Sequence, residues 1–113
     1  MIGFFATWCG PCRSEMNRVQ DEIWQKYKDN PKFALFFFGY DQGWDLIQPF
    51  KDKIGYTFLL LPDEGRRIFT RFATDTIPRT FLLDEAQKII FKSTGYDENS
   101  LKSVQKILDQ KLN

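Results

Sequence analysis

Cys9 and Cys12 are the only cysteines of this chain, and they stand at a junction. An apolar run with Ile2, Phe4 and Phe5 precedes them, and a helical pattern follows. A strand, a tight turn holding two thiols and a helix N-terminus form the setting that makes Cys-x-x-Cys a redox-site candidate rather than a common tetrapeptide. The same junction constrains the fold. A buried strand hands over to a helix within a few residues, which is how a parallel strand pair with a helical crossover begins.

The chemistry asks for this arrangement. The thiolate is the nucleophile, not the thiol. Cys9 is placed at or just before the helix N-terminus, where unpaired N–H groups and the macrodipole favour negative charge. Cys12 follows one turn later on the same side, so the two sulfurs can close a small disulfide ring. Pro11 suits a first helical turn, where its missing N–H costs nothing. Gly10 lets the backbone turn and keeps the approach to Cys9 clear, and Arg13 adds a positive charge. Such surroundings lower a cysteine pKa from about 8.5 to roughly 3.5–7.5. Cys9, the more exposed of the two, is the expected attacking thiol and Cys12 the resolving one.

Composition excludes much else. The 113 residues make one domain, residues 1–113, long enough for a core without staples. Twelve Phe and 42% apolar residues favour a folded domain over disorder. The net charge of +1 is interspersed, with no basic stripe for nucleic acid. No apolar stretch approaches the ~20 residues that span a bilayer. With no histidine, Cys–His catalysis is impossible within the chain, and two cysteines fall short of the usual four ligands of a structural zinc site. A disulfide across so short a loop constrains the unfolded chain little, so a purely structural role is disfavoured. The expectation is no metal and no cofactor beyond the Cys9–Cys12 pair, and a monomer.

Periodicity sets the order of elements. Met1 to Ala6 reads as a buried strand. From Pro11 to Lys28, Met16, Val19, Ile23 and Tyr27 recur on one helix face, and Asp29-Asn30-Pro31 ends that helix. Phe33 to Tyr40 reads as a strand buried on both faces, broken by Asp41-Gln42-Gly43. A second helix is expected over Trp44 to Ile54, with Pro49 marking a late start or a kink. Tyr56 to Leu61 is a third apolar segment, ended by Pro62-Asp63. Arg66 to Phe72 reads as a short helix with Ile68, Phe69 and Phe72 inward. Thr80 to Leu83 and Ile89 to Lys92 form a hairpin about Asp84-Glu85-Ala86-Gln87. A last helix runs from Glu98 to Leu112, capped by Asp97. The expected class is α/β, a mixed central sheet flanked by helices on both faces.

Residues Phe4 to Met16, with Trp8-Cys9-Gly10-Pro11-Cys12 at their centre, resemble the active-site segment of thioredoxin-fold proteins. They are most similar to the TlpA/ResA branch of thiol–disulfide oxidoreductases. Glu15 matches the Cys-x-x-Cys-x-x-Glu pattern of that branch, Ile77-Pro78 before Thr80-Phe81-Leu82-Leu83-Asp84 resembles the segment carrying the family's cis-proline, and Gly95 before the last helix also fits. The resemblance covers nearly the whole chain. It implies a thioredoxin fold, Cys9 as nucleophile, Cys12 as resolving thiol and a cis Pro78 packed beside the disulfide. It also implies that the Ile77 backbone pairs with an extended substrate segment, a form of β-augmentation. Without the resemblance, Pro78 reads as a trans turn proline, because only about 5% of X–Pro bonds are cis.

Glu15 reads either as a solvated residue favoured near a helix N-terminus or as a buried acid that carries the proton Cys12 must lose. Trp8 reads as a partly buried aromatic or, by resemblance, as a ring flanking and shielding the disulfide. Asn17 stands where relatives often carry a helix-kinking proline, so a straighter helix is expected. Arg79 replaces a frequent threonine; near the site it would select acidic substrates or favour a thiolate, and elsewhere it is a surface charge.

The leading function is therefore a dithiol reductant of protein disulfides, recharged by an upstream redox donor. Potentials on this scaffold span roughly −270 to −120 mV. The resemblance implies an extracytoplasmic, periplasmic setting in a bacterium, with c-type cytochrome maturation among the family's duties; the alternative is the cytoplasm. The chain opens directly in a strand, which leaves room for an upstream segment or anchor. Two rivals stand beside this reading. One is a non-catalytic client-binding module built on Ile77-Pro78. The other is a peroxiredoxin-like peroxidase, disfavoured because Ala6 stands where those enzymes place Thr or Ser before the reactive cysteine.

Overall fold

The apolar segments assemble into one five-stranded sheet of order β3-β2-β1-β4-β5. The computed structural model describes residues 1–113. In chain order they form β1 (Ile2–Phe5), α1 (Gly10–Arg18), a π-helical turn (Val19–Trp24), α2 (Gln25–Tyr27), β2 (Phe36–Tyr40) and α3 (Trp44–Ile54). Then come β3 (Leu59–Asp63), two 3-10 turns (Glu64–Arg66 and Phe69–Arg71), β4 (Arg79–Leu83), β5 (Ile89–Thr94) and α4 (Glu98–Leu112). β1, β2 and β3 are parallel neighbours, while β4 runs antiparallel to β1, and β5 to β4. Parallel neighbours need crossovers, and α1–α2 and α3 supply them. The expected α/β class and mixed sheet are observed.

Strand alternation divides the apolar side chains between two faces. Phe5, Phe37, Leu60 and Leu82 join Met16, Val19, Ile23, Ile47, Leu101 and Val104 in one large cluster, so α1, α3 and α4 all cover this face. Cys9 and Cys12 belong to the same cluster. On the other face, Phe4, Phe69 and Phe81 form a smaller cluster. There the Phe4 ring meets Phe69 edge-on at 5.2 Å and Phe81 edge-on at 6.1 Å, contacts worth about 0.5–1.5 kcal/mol each beyond area burial.

The cover on this second face differs from the short helix expected over Arg66 to Phe72. It is two 3-10 turns, because Gly65 (φ 74°) and Arg66 (φ 58°) take left-handed backbone that interrupts any helix. Ile68, Phe69 and Phe72 still pack inward. So thin a cover leaves β2 alternating rather than buried on both faces: Phe37 and Gly39 are buried, and Phe36, Phe38 and Tyr40 are half-buried. β2 also begins later than expected, at Phe36; Phe33 packs from the preceding loop against Tyr27, centroids 5.8 Å apart.

The first helix buries Met16, Val19, Ile23 and Tyr27, the face read from the sequence. It is not α-helical throughout. Its hydrogen bonding widens to a π turn just after Arg18, and the Asn17 amide oxygen accepts the Tyr56 hydroxyl at 2.5 Å. α3 runs through Pro49 without interruption, starting at Trp44. Ile47 on its inner face is fully buried, and that packing offsets the lost backbone bond. β3 extends through Pro62, which an edge strand tolerates because a missing N–H on its open side breaks no ladder bond. Asp97 caps α4 by accepting the Ser100 N–H at 2.8 Å.

Candidate active site

The site grows from the end of β1. Ala6, Thr7 and Trp8 leave the sheet, and the Cys9 N–H donates to the Ala6 carbonyl at 3.1 Å, closing a tight turn. Cys9 is then the N-cap of α1: its backbone is extended (φ −91°, ψ 107°) and its Sγ accepts the Cys12 N–H at 3.2 Å. A sulfur in the capping position receives an otherwise orphaned donor and faces the positive end of the helix. Cys9 and Cys12 are joined as a disulfide, with Cα atoms 5.3 Å apart. Cys12 is fully buried and Cys9 retains 5% exposure, so the order of accessibility read from the sequence holds.

Pro11 lies in the first helical turn. Gly10 has no left-handed backbone, so the turn does not require it; a Cβ there would meet nothing within 4 Å. Trp8 is 68% exposed, which removes the reading of it as a partly buried aromatic. The Arg13 guanidinium reaches back to the Thr7 carbonyl at 3.4 Å.

One residue missed in the sequence holds this turn. Gln42, read only as a strand break, is buried. Its side chain makes a reciprocal pair with Thr7: Gln42 Oε1 accepts the Thr7 N–H and Gln42 Nε2 donates to Thr7 Oγ1, both at 3.0 Å. The end of β2 thus fixes the loop that carries Trp8 and Cys9. The signal was weak, a glutamine two residues after an apolar strand.

Glu15 follows Cys12 by three residues on α1 and, like it, is buried. Its carboxylate accepts the Thr80 hydroxyl at 2.7 Å. Burial pushes its pKa from 4.5 up to about 7; the Thr80 hydrogen bond opposes the rise and the nearby Asp97 charge adds to it. A carboxyl of this kind exchanges protons near neutrality. Thr80 is the second missed residue. Its signal was available: β4 alternation puts Thr80 on the same side as Leu82, and a buried hydroxyl there needs a partner.

Ile77-Pro78 is a cis peptide. Arg79 pairs with Phe4 in the antiparallel ladder between β4 and β1, so Ile77 and Pro78 leave the sheet at the end where Ala6 to Cys9 begin. Ile77 packs against the cluster that contains both cysteines. Its own N–H and C=O make no hydrogen bond within the chain, while the Pro78 carbonyl accepts the Gly95 N–H at 2.8 Å. The Arg79 guanidinium donates to Asp75, Thr76 and Thr94. No three His, Cys, Asp or Glu side chains gather in a group that could hold a metal ion.

The Redoxin family profile matches residues 1–108. A putative protein disulfide isomerase from Bacteroides thetaiotaomicron superposes with a TM-score of 0.91 at 32% identity, over 98% of this chain and 72% of that one. A putative thiol:disulfide interchange protein DsbE from Chlorobium tepidum gives a TM-score of 0.85 over 99% and 78% of the two chains; at 20% identity it speaks for the fold alone. In sequence, the thiol–disulfide oxidoreductase ResA of Bacillus thuringiensis is 27% identical over 83% of this chain and 53% of its own length. The chain thus spans about half the length of the ResA relatives it matches. With the family profile, the fold and the cysteine turn in agreement, the chain belongs to the Redoxin family and has the thioredoxin fold.

Proposed function

We propose that this chain is a thiol–disulfide oxidoreductase domain that reduces disulfides in extracytoplasmic proteins. The observation that carries the reading is Cys9 as the N-cap of α1, with its sulfur on the Cys12 N–H and a free pairing edge at Ile77 on the same end of the sheet.

In the reduced domain, the Cys9 thiolate attacks one sulfur of a substrate disulfide. The substrate S–S bond breaks, its second sulfur leaves as a thiolate, and a mixed disulfide forms. Cys12 then loses its proton and attacks the Cys9 sulfur. The mixed disulfide breaks, the Cys9–Cys12 bond forms, and the substrate has gained two electrons. Glu15 takes the Cys12 proton, since its pKa of about 7 lies close to that of an activated thiol. An upstream dithiol donor returns two electrons to the pair, which regains the Cys9 thiolate and one proton on Cys12; the donor's other proton goes to solvent. Ile77 pairs with the extended chain on one side of the substrate cysteine, as in other strand-addition complexes. Trp8 flanks the disulfide as an exposed ring, and Gly10 and Pro11 shape the approach. Similarity to ResA supports the extracytoplasmic setting; no helix of the chain is long and apolar enough to cross a membrane.

The deciding experiment is covalent trapping. Cys12→Ser leaves Cys9 free to attack but unable to resolve, so mixed disulfides with substrate proteins accumulate, whereas Cys9→Ser accumulates none. A Cys12→Ser domain that traps nothing would favour the client-binding module. The reduction potential of the pair, measured against glutathione, fixes whether the domain donates or accepts electrons.

A further inference from the structure

Residues 73–78, the approach to β4, form no helix or strand. Thr76 there takes a φ of 70°, left-handed backbone that a β-branched residue rarely adopts. One side chain holds this stretch. Arg79 Nε donates to the Asp75 carbonyl at 3.1 Å and to the Thr76 carbonyl at 3.0 Å. Its Nη2 donates to the Asp75 carbonyl at 2.6 Å and to Asp75 Oδ1 at 3.3 Å. Its Nη1 donates to Thr94 Oγ1 at 2.7 Å, across the ladder on β5. The Arg79 side chain is only 20% exposed. Of the three main-chain units before Pro78, Arg79 occupies the carbonyls of the first two and leaves the third, Ile77, with both N–H and C=O unpaired.

We propose that Arg79 is a positioning residue that fixes Asp75 and Thr76 so that Ile77 stands as a preformed pairing edge, giving the site a preference for extended polypeptide disulfides over small ones. The inference rests on the docking role of Ile77 given above and names the device that sets it. Arg79 is paired in register with Phe4 of β1 on one side and Thr94 of β5 on the other. The clamp is therefore built on the sheet rather than on the loop it holds. A loop held in its binding conformation loses less freedom when the substrate arrives, and that difference appears as affinity. A planar guanidinium reaches two carbonyls and a hydroxyl at once; a lysine ammonium is a point donor that cannot span the same set. A small disulfide has no extended chain to pair with Ile77 and gains nothing from the clamp.

The test uses the reduced domain and three substrates. These are a disulfide-bearing peptide, the same peptide N-methylated beside its cysteine to remove a main-chain donor, and hydroxyethyl disulfide. For the unaltered domain, KM for the parent peptide should be about tenfold below that for the methylated one. In Arg79→Ala, KM for the parent peptide should rise about tenfold to the methylated level, with kcat and the rate on hydroxyethyl disulfide within about twofold. Arg79→Lys and Thr94→Val, which keep most of the side chain volume, should fall between and serve if Arg79→Ala does not fold. If the unaltered domain does not distinguish the two peptides, the docking role fails and the clamp with it. If it does and the Arg79 variants keep the full distinction, the clamp alone is overturned. Equal slowing on all three substrates would also overturn it, since that marks general damage.

Discussion

Each face of the sheet buries one carboxylate, and the two are held in opposite ways. Asp63, at the end of β3 on the thinly covered face, accepts the main-chain N–H groups of Ile68 and Phe69, both at 2.9 Å. Those bonds anchor the 3-10 cover to the strand. Glu15, under the helices, has a single side-chain hydroxyl, from Thr80. At Glu15 a lone hydroxyl does not offset the loss of water, and the proton is retained to about pH 7. Burial is the same for both. Asp63 latches the cover through main-chain donors, whereas burial governs the proton at Glu15.

The largest test of that contrast is Asp63→Ala. It orphans the buried Phe69 N–H and the half-buried Ile68 N–H and releases the aromatic cover, so urea unfolding should show a loss of about 3–5 kcal/mol, with little change in thiol exchange per folded molecule. A loss under about 1 kcal/mol would mean the latch is ornamental. Glu15→Gln should do the reverse. Folding raises the Glu15 pKa from 4.5 to about 7, so between those values the folded chain holds a proton the unfolded chain has released. Stability therefore falls as pH rises through this window and levels off above it. A glutamine has no proton to hold. The variant should match the parent near pH 4 and exceed it by about 3 kcal/mol above pH 8, while thiol–disulfide exchange slows and its pH–rate profile loses the step near 7. Parallel stability curves across this range, or an unchanged pH–rate profile, would remove Glu15 from the proposed role.

The contrast also shows where sequence reading succeeds. The cysteine turn is local: cap, proline and helix follow one another in the chain, so residues 4–16 carry their own structural context. The hairpin and α4 are legible for the same reason, with Asp97 and the Asp84 turn written beside the elements they start and join. The site's supporting contacts are not local. Thr7 and Gln42 lie 35 positions apart, and Glu15 and Thr80 lie 65 apart. Each polar residue alone has an ordinary solvated reading, and only the sheet order makes them partners. The 3-10 cover was misread because apolar spacing at Ile68, Phe69 and Phe72 reports inward positions without reporting that Gly65 and Arg66 interrupt the backbone.

Thr80→Val is the next smaller test. It keeps the shape and removes the one hydroxyl that favours charged Glu15. The Glu15 pKa should rise further, by about one unit, read from the carboxyl carbon resonance. A fall would show that Thr80 does not stabilise the carboxylate.

The smallest effect is expected at Asp97, whose charge adds to the rise at Glu15 from the start of α4. Asp97→Asn removes that charge and keeps the cap, because asparagine accepts the Ser100 N–H about as well as aspartate does. The Glu15 pKa should fall by a few tenths of a unit at low salt. Asp97 is exposed at the surface, so mobile ions screen its field, and most of the difference should vanish by about 0.5 M salt. The shift from Thr80→Val should survive the same salt, because a buried hydrogen bond is not screened. If both shifts disappear together, the environment of Glu15 is wet and the contrast with Asp63 collapses. If only the Asp97 shift does, the proton at Glu15 is governed by burial and one hydroxyl, with Asp97 as a weak outer trim.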